Sequence, residues 1–169
     1  MRIIVSDSSC LIDLRKASLL DFFLRLPYEI LIPNTLFEEE LVRFTQEQKE
    51  SLVLGGLQVI DLPAERVLRA QAVARALPHL SIHDGFAFAL AESRQGSILL
   101  TGDGGLRALA VEHGMEVHGV LWVIDEIHAN ELAPAEALLE VLRGFAADET
   151  VRLPRRDLAA QIRRYAKAE

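Results

Sequence analysis

Residues 2–14 read Arg2-Ile3-Ile4-Val5-Ser6-Asp7-Ser8-Ser9-Cys10-Leu11-Ile12-Asp13-Leu14. A short β-branched run that leaves through an acid into an apolar segment of helical period reads as a strand followed by a helix. The unit recurs along the chain. Strands are predicted over residues 2–6, 29–32, 57–61, 97–101 and 115–118, and helices over 11–26, 35–44, 63–77, 83–93 and 105–113, the third with a stripe of Val67, Leu68, Gln71, Val73 and Ala74. Strands alternating with helices pair in parallel through right-handed crossovers, which puts helices on both faces of an open sheet. The expected fold class is therefore α/β, a three-layer α/β/α sandwich around a central parallel sheet of about five strands. After Asp125 the strand signal stops, and helices over 133–145 and 154–165 follow. Residues 1–125 are expected to form the domain, and 126–169 a C-terminal helical extension packing on it or on a second subunit.

The whole chain has 169 residues, half of them apolar and a quarter charged, which suits one globular domain. No apolar run approaches the roughly 20 residues of a membrane span. The amino terminus meets Asp7 too soon for a signal peptide's apolar stretch, and the single Cys10 cannot close an internal disulfide, so a cytoplasmic location is expected. The formal charge of −7 conceals an asymmetry. Residues 150–169 carry six basic and two acidic side chains, which leaves 12 basic and 23 acidic in the rest, a body of about −11. Such a field repels phosphate unless bound cations reverse it locally.

In an open parallel sheet, the loops leaving the carboxyl ends of the strands meet at one edge, and ligands bind there. Asp7 follows the first strand and Asp103 the fourth, while Asp84 opens the dense apolar helix from Gly85 to Ala91. Glu38, Glu39 and Glu40 lie on the helix after the second strand. Taken singly, each has an ordinary local use as a helix cap, a turn former or a dipole partner. Together at one edge they repel one another and call for a cation. Carboxylates without His or Cys suit Mg²⁺ or Mn²⁺, and such ions bridge phosphate oxygens, so phosphodiester hydrolysis is the inferred chemistry.

Four stretches in this order, Val5-Ser6-Asp7-Ser8-Ser9-Cys10-Leu11-Ile12-Asp13-Leu14, Ile32-Pro33-Asn34-Thr35-Leu36-Phe37-Glu38-Glu39-Glu40, Leu80-Ser81-Ile82-His83-Asp84-Gly85-Phe86-Ala87-Phe88-Ala89-Leu90-Ala91 and Leu99-Leu100-Thr101-Gly102-Asp103, resemble the PIN-domain ribonucleases, which include the VapC-type toxin nucleases. The resemblance covers residues 1 to about 125. It implies a metal-dependent endoribonuclease in which Asp7, Glu39, Asp84 and Asp103 are catalytic and hold Mg²⁺ or Mn²⁺. Glu39 is taken from its distance to Pro33, with Glu38 and Glu40 as the alternative registers. Ser9 and Thr101 resemble hydroxyls that orient the acids. Gly85 stands where the family most often has Ala, at a cost of about 1 kcal/mol of helix propensity. RNA is the implied substrate, and a toxin role would bring an antitoxin protein over the crevice; a homodimer is also implied.

Other readings fit less well. An aspartyl-phosphate enzyme would need a lysine after a late strand, and the chain has only Lys16, Lys49 and Lys167. Ser81, His83 and Asp84 sit too close on one helix start for a hydrolase triad. His113 and His118 lack the spacing of a zinc pair, and Gly102-Asp103-Gly104-Gly105 lacks the lysine of a phosphate loop. A PIN-like fold that has lost catalysis and serves as a binding or regulatory module is the alternative of another class. Arg152, Arg155, Arg156, Arg163, Arg164 and Lys167 read either as a solvated helix face or as a grip on RNA phosphates. Leu158, Ile162 and Tyr165 are expected to pack that helix down, and Trp122 to belong to the core.

Overall fold

The computed structural model of the chain describes residues 1–167. Five strands, β1 (Arg2–Ser6), β2 (Tyr28–Pro33), β3 (Gln58–Ile60), β4 (Ile98–Leu100) and β5 (Glu116–His118), form one sheet in the order β3-β2-β1-β4-β5. Every pair is parallel. Central strands must be apolar on both faces, and β4 meets that demand with Ile98, Leu99 and Leu100 all fully buried. The edge strands β3 and β5 have only three residues each and open on exposed Gln58 and Glu116, which blunts them against pairing with another chain. The chain steps from β1 outward to β2 and β3, then returns to the other side of β1 for β4 and β5. The reversal therefore lies between β1 and β4, where open parallel sheets bind their ligands.

Ten helices surround the sheet among the described residues: α1 (Ser8–Lys16), α2 (Leu20–Leu24), α3 (Asn34–Glu39), α4 (Gln46–Leu54), α5 (Ala64–Ala76), α6 (Ile82–Ser93), α7 (Gly104–Glu112), α8 (Val120–Ala129), α9 (Ala135–Ala147) and α10 (Arg155–Lys167). They depart from the expected pattern in three places. The single helix expected over 11–26 begins earlier, at Ser8, because Asp7 caps it, and is cut into α1 and α2 at Ser18, whose φ of 56° no helix can accommodate. The helix expected over 35–44 ends at Glu39, and α4 follows, unforeseen because Gln46-Glu47-Gln48-Lys49-Glu50 shows no apolar period. The apolar run over 119–124 begins α8, which buries Val120, Val123, Ile124 and Ile127 at helical spacing.

One core spans the molecule, joining sheet residues such as Ile4 and Leu99 to Leu138, Leu142, Phe145, Leu158 and Tyr165 of the last two helices. The boundary expected at residue 125 falls inside α8. Asp125 itself fastens α10 there: it accepts hydrogen bonds from Gln161 Nε2 at 3.1 Å and Tyr165 Oη at 2.7 Å, and it pairs with Arg164. Gln161, almost fully buried, also donates to the Leu121 carbonyl at 2.9 Å. Trp122 is partly buried against the core and stacks on His118, with ring centroids 4.3 Å apart and planes 7° from parallel.

The helix that carries Asp84 is set by an unusually close approach. A Cβ at Gly85 would lie 2.6 Å from the carbonyl oxygen of Ala70 on α5, which is inside van der Waals contact. On the outer side of the same pair, Glu92 of α6 takes Arg69 at 2.9 Å and Arg66 at 3.0 Å. The hydrogen bond from Arg69 leads the interactions that hold the Glu92 carboxyl below its ordinary value.

Candidate active site

Asp7 is the centre of the edge where β1 and β4 emit their loops. Its backbone N–H donates to the Leu100 carbonyl at 2.8 Å, so the ladder runs one residue past β1 before α1 begins. The residue is 5% exposed. Oδ1 accepts from the Ser8 N–H at 2.8 Å, and Oδ2 accepts from Thr101 Oγ at 2.8 Å and from Ser9 Oγ at 3.2 Å. Each of those hydroxyls also accepts a backbone N–H from the loop after β4: Asp103 N–H on Thr101 at 3.0 Å and Gly102 N–H on Ser9 at 3.3 Å. With a lone pair so engaged, each hydroxyl turns its proton toward Asp7. The arrangement favours the ionised carboxylate and locks the first loop to the fourth.

Burial acts in the opposite direction and is the larger effect. It pushes the Asp7 carboxyl up to about 6; Thr101 draws it down, and the like charges of Asp84 and Glu40 raise it further. Those two acids are therefore close enough to be felt. Among the described residues no Lys or Arg pairs with Asp7, Glu40, Asp84 or Asp103. The remaining compensation comes from helix N-termini: Asp7 caps α1, Asp103 caps α7 and Asp84 lies in the first turn of α6, each where the helix dipole favours a negative charge by about 0.3–1 kcal/mol.

Asp84 and Asp103 each commit one oxygen to local structure. Asp84 Oδ2 accepts the Ser81 N–H at 2.8 Å while Ser81 Oγ accepts the Asp84 N–H at 3.1 Å, a reciprocal capping box that starts α6. Asp103 Oδ1 accepts the Leu106 N–H at 2.8 Å. The capping role weighed for these acids from the sequence and the role at the strand edge thus coexist in the same side chains.

The three glutamates point in three directions, as successive helical residues about 100° apart must. Glu38, 61% exposed at its side chain, faces Lys49 at 4.0 Å. Glu39, 60% exposed, meets His83 Nε2 at 2.6 Å. Glu40, the residue just past α3, is the one that turns inward, and its Oε1 accepts from Ser8 Oγ at 2.6 Å. The distance from Pro33 points to Glu39, but the side chain that reaches the neighbourhood of Asp7 is Glu40. Sequence reasoning did not mark Ser8, whose hydroxyl also lies 3.5 Å from Asp7 Oδ1, because a serine beside a helix cap has no special pattern. Cys10, one turn into α1, is buried and unpaired, and burial pushes its thiol far up, so it is an inert core residue.

Among the described residues, no three His, Cys, Asp or Glu side chains are gathered into a ready-made metal cage. The donor set nonetheless suits a hard divalent cation: all-oxygen ligands, a buried carboxylate fixed by three donors, neighbouring like charges and, among the described residues, no Lys or Arg to neutralise them. No helix among the described residues is long and apolar enough to cross a membrane. A family model described as a PIN domain matches residues 3–167. No curated protein matches the chain.

Proposed function

Because the chain belongs to the PIN-domain family, whose members are generally nucleases, we propose that it is a metal-dependent endoribonuclease that uses Mg²⁺ or Mn²⁺ at the carboxylates of Asp7, Glu40, Asp84 and Asp103. The observation that carries this reading is Asp7: a buried carboxylate made less acidic by burial and by Asp84 and Glu40, with no basic partner among the described residues. Such a group costs stability unless a cation answers it. When bound, a divalent cation would supply Lewis acidity toward the scissile phosphate and the attacking water.

The chain's own residues supply the positioning. Ser8 N–H, Ser9 and Thr101 fix both oxygens of Asp7, and the Thr101–Asp103 contact ties the fourth loop to it. Asp84 and Asp103 are held by their helix caps through one oxygen each. RNA phosphates approaching a body of about −11 need the local field reversed, which makes cation loading a condition for substrate binding as well as for chemistry. The family resemblance extends this reading to a cytoplasmic toxin role, with an antitoxin protein over the crevice and two copies of the chain paired. A short upstream reading frame for a DNA-binding protein would support that extension.

The direct test is cleavage of single-stranded RNA by the purified chain. Cleavage is expected with Mg²⁺ or Mn²⁺ and is expected to stop in EDTA. Asp84→Asn should keep its fold and lose at least about 100-fold in rate, the upper end of what removing even an outer partner of a metal ligand costs. An Asp84→Asn protein as active as the native one would remove this residue from the mechanism. Failure of the native chain to cleave RNA or bind any divalent ion would favour a PIN fold used only for binding.

A further inference from the structure

We propose that His83 is a positioning residue that sorts the glutamate run: by holding Glu39 on the outer side of α3, it leaves Glu40 as the glutamate that closes on Asp7. The inference rests on the metal-site reading above and names the residue that decides which glutamate joins the site. His83 Nε2 lies 2.6 Å from Glu39 Oε2, while its Nδ1 is 3.8 Å from Glu40 Oε2, beyond hydrogen-bond reach. The imidazole thus engages one glutamate and stands beside the other. Its ring is set edge-on against Phe86 at 6.2 Å, and its side chain is 23% exposed, so it is a braced group and not a free surface histidine.

Two further features make this contact consequential. First, α3 has only six residues, and Glu40 follows its last turn, where few backbone bonds restrain the chain. The Ser8 hydroxyl gives its proton to Glu40 at 2.6 Å, and the His83–Glu39 contact ties down the residue just before Glu40, which keeps this short stretch of chain turned so that Glu40 faces Ser8. Second, His83 immediately precedes Asp84 on α6. The His83–Glu39 bond therefore joins the two elements that carry Glu40 and Asp84, which no strand pairing connects. Groups hydrogen-bonded to a metal ligand govern metal affinity by about 10- to 100-fold, and His83, which acts on Glu40 through its neighbour Glu39, is expected at the lower end, about 10-fold.

The test is Mn²⁺ binding to the full chain by calorimetry, with His83→Ala, His83→Asn and His83→Gln. The terminal amide of Gln can place an N–H where Nε2 stands and can keep Glu39; that of Asn reaches only as far as Nδ1 and cannot. His83→Ala and His83→Asn should weaken Mn²⁺ about 10-fold, His83→Gln should stay within about threefold of the native chain, and saturating Mn²⁺ should recover most of the RNA cleavage rate in all three. Mn²⁺ affinity in the Ala and Asn variants equal to that of the native chain, or an Asn variant that binds as the Gln variant does, would overturn the role of His83 while leaving the metal site intact. A native chain that binds no Mn²⁺ would overturn both.

Discussion

Asp7→Asn should raise the melting temperature of the chain in EDTA at pH 8 and abolish the further rise that Mg²⁺ or Mn²⁺ brings to the native protein. The Asp7 carboxyl is almost completely buried, and its pKa is raised from 3.8 to about 6. Each tenfold change in proton affinity corresponds to about 1.4 kcal/mol, so the charge costs the folded chain on the order of 3 kcal/mol. Asparagine removes the charge and keeps an oxygen for the Ser8 N–H, but it must turn the hydroxyls of Ser9 and Thr101, which now donate to Asp7. Part of the gain is lost in that turn. A net stabilisation of about 1 kcal/mol is expected, a rise of roughly 2–4 °C for a domain of this size. The same variant should lose RNA cleavage. A lower melting temperature in EDTA, or an undiminished response to divalent ions, would mean that Asp7 is a structural cap and nothing more.

Gly85→Ala should destabilise the chain, although helix propensity alone favours alanine by about 1 kcal/mol. The added methyl would sit 2.6 Å from the Ala70 carbonyl oxygen and 3.2 Å from its carbonyl carbon. Those atoms belong to the backbone of α5, so no side-chain rotation relieves the clash. The helices must separate, and Glu92, bridged to Arg66 and Arg69 across the same pair, resists. Overpacking of this kind costs about 1–3 kcal/mol, which predicts a melting temperature lower by roughly 2–10 °C. The displacement would be felt at Asp84, one residue away, so RNA cleavage should fall with it. An alanine variant that melts at or above the native temperature would show that α5 and α6 have room to spare.

Much of the sheet was legible because the strands are short apolar runs, and all but β2 are followed within two residues by an acid or a glycine. β1 falls where its residues place it, and the other four strands lie within a residue or two of expectation. What escaped has local causes. The break at Ser18 depends on a left-handed backbone angle that a serine does not advertise. α4 is polar throughout its first turns, and its one readable sign was the Thr45 to Gln48 capping box. α8 opens with Val120-Leu121-Trp122-Val123-Ile124, an unbroken apolar run that conceals helical period.

The carboxylates were legible as a set, since strand exits and helix starts converge at one edge in this topology. Their individual attachments were not. Counting from Pro33 cannot reveal that α3 stops after Glu39 and turns Glu40 toward Ser8; that follows from where the helix ends and from which residue of α6 lies opposite. Gly85 is similar. Its propensity penalty is visible in the sequence, but the reason the chain bears it lies on α5, fifteen residues earlier.

The central claim is best tested by soaking crystals of the chain in Mn²⁺ and recording anomalous scattering. The account predicts a peak at about 2.0–2.3 Å from oxygens of Asp7, Glu40 and at least one of Asp84 and Asp103, distances at which hard cations take carboxylate ligands. A peak elsewhere on the molecule, with these carboxylates untouched, would contradict it.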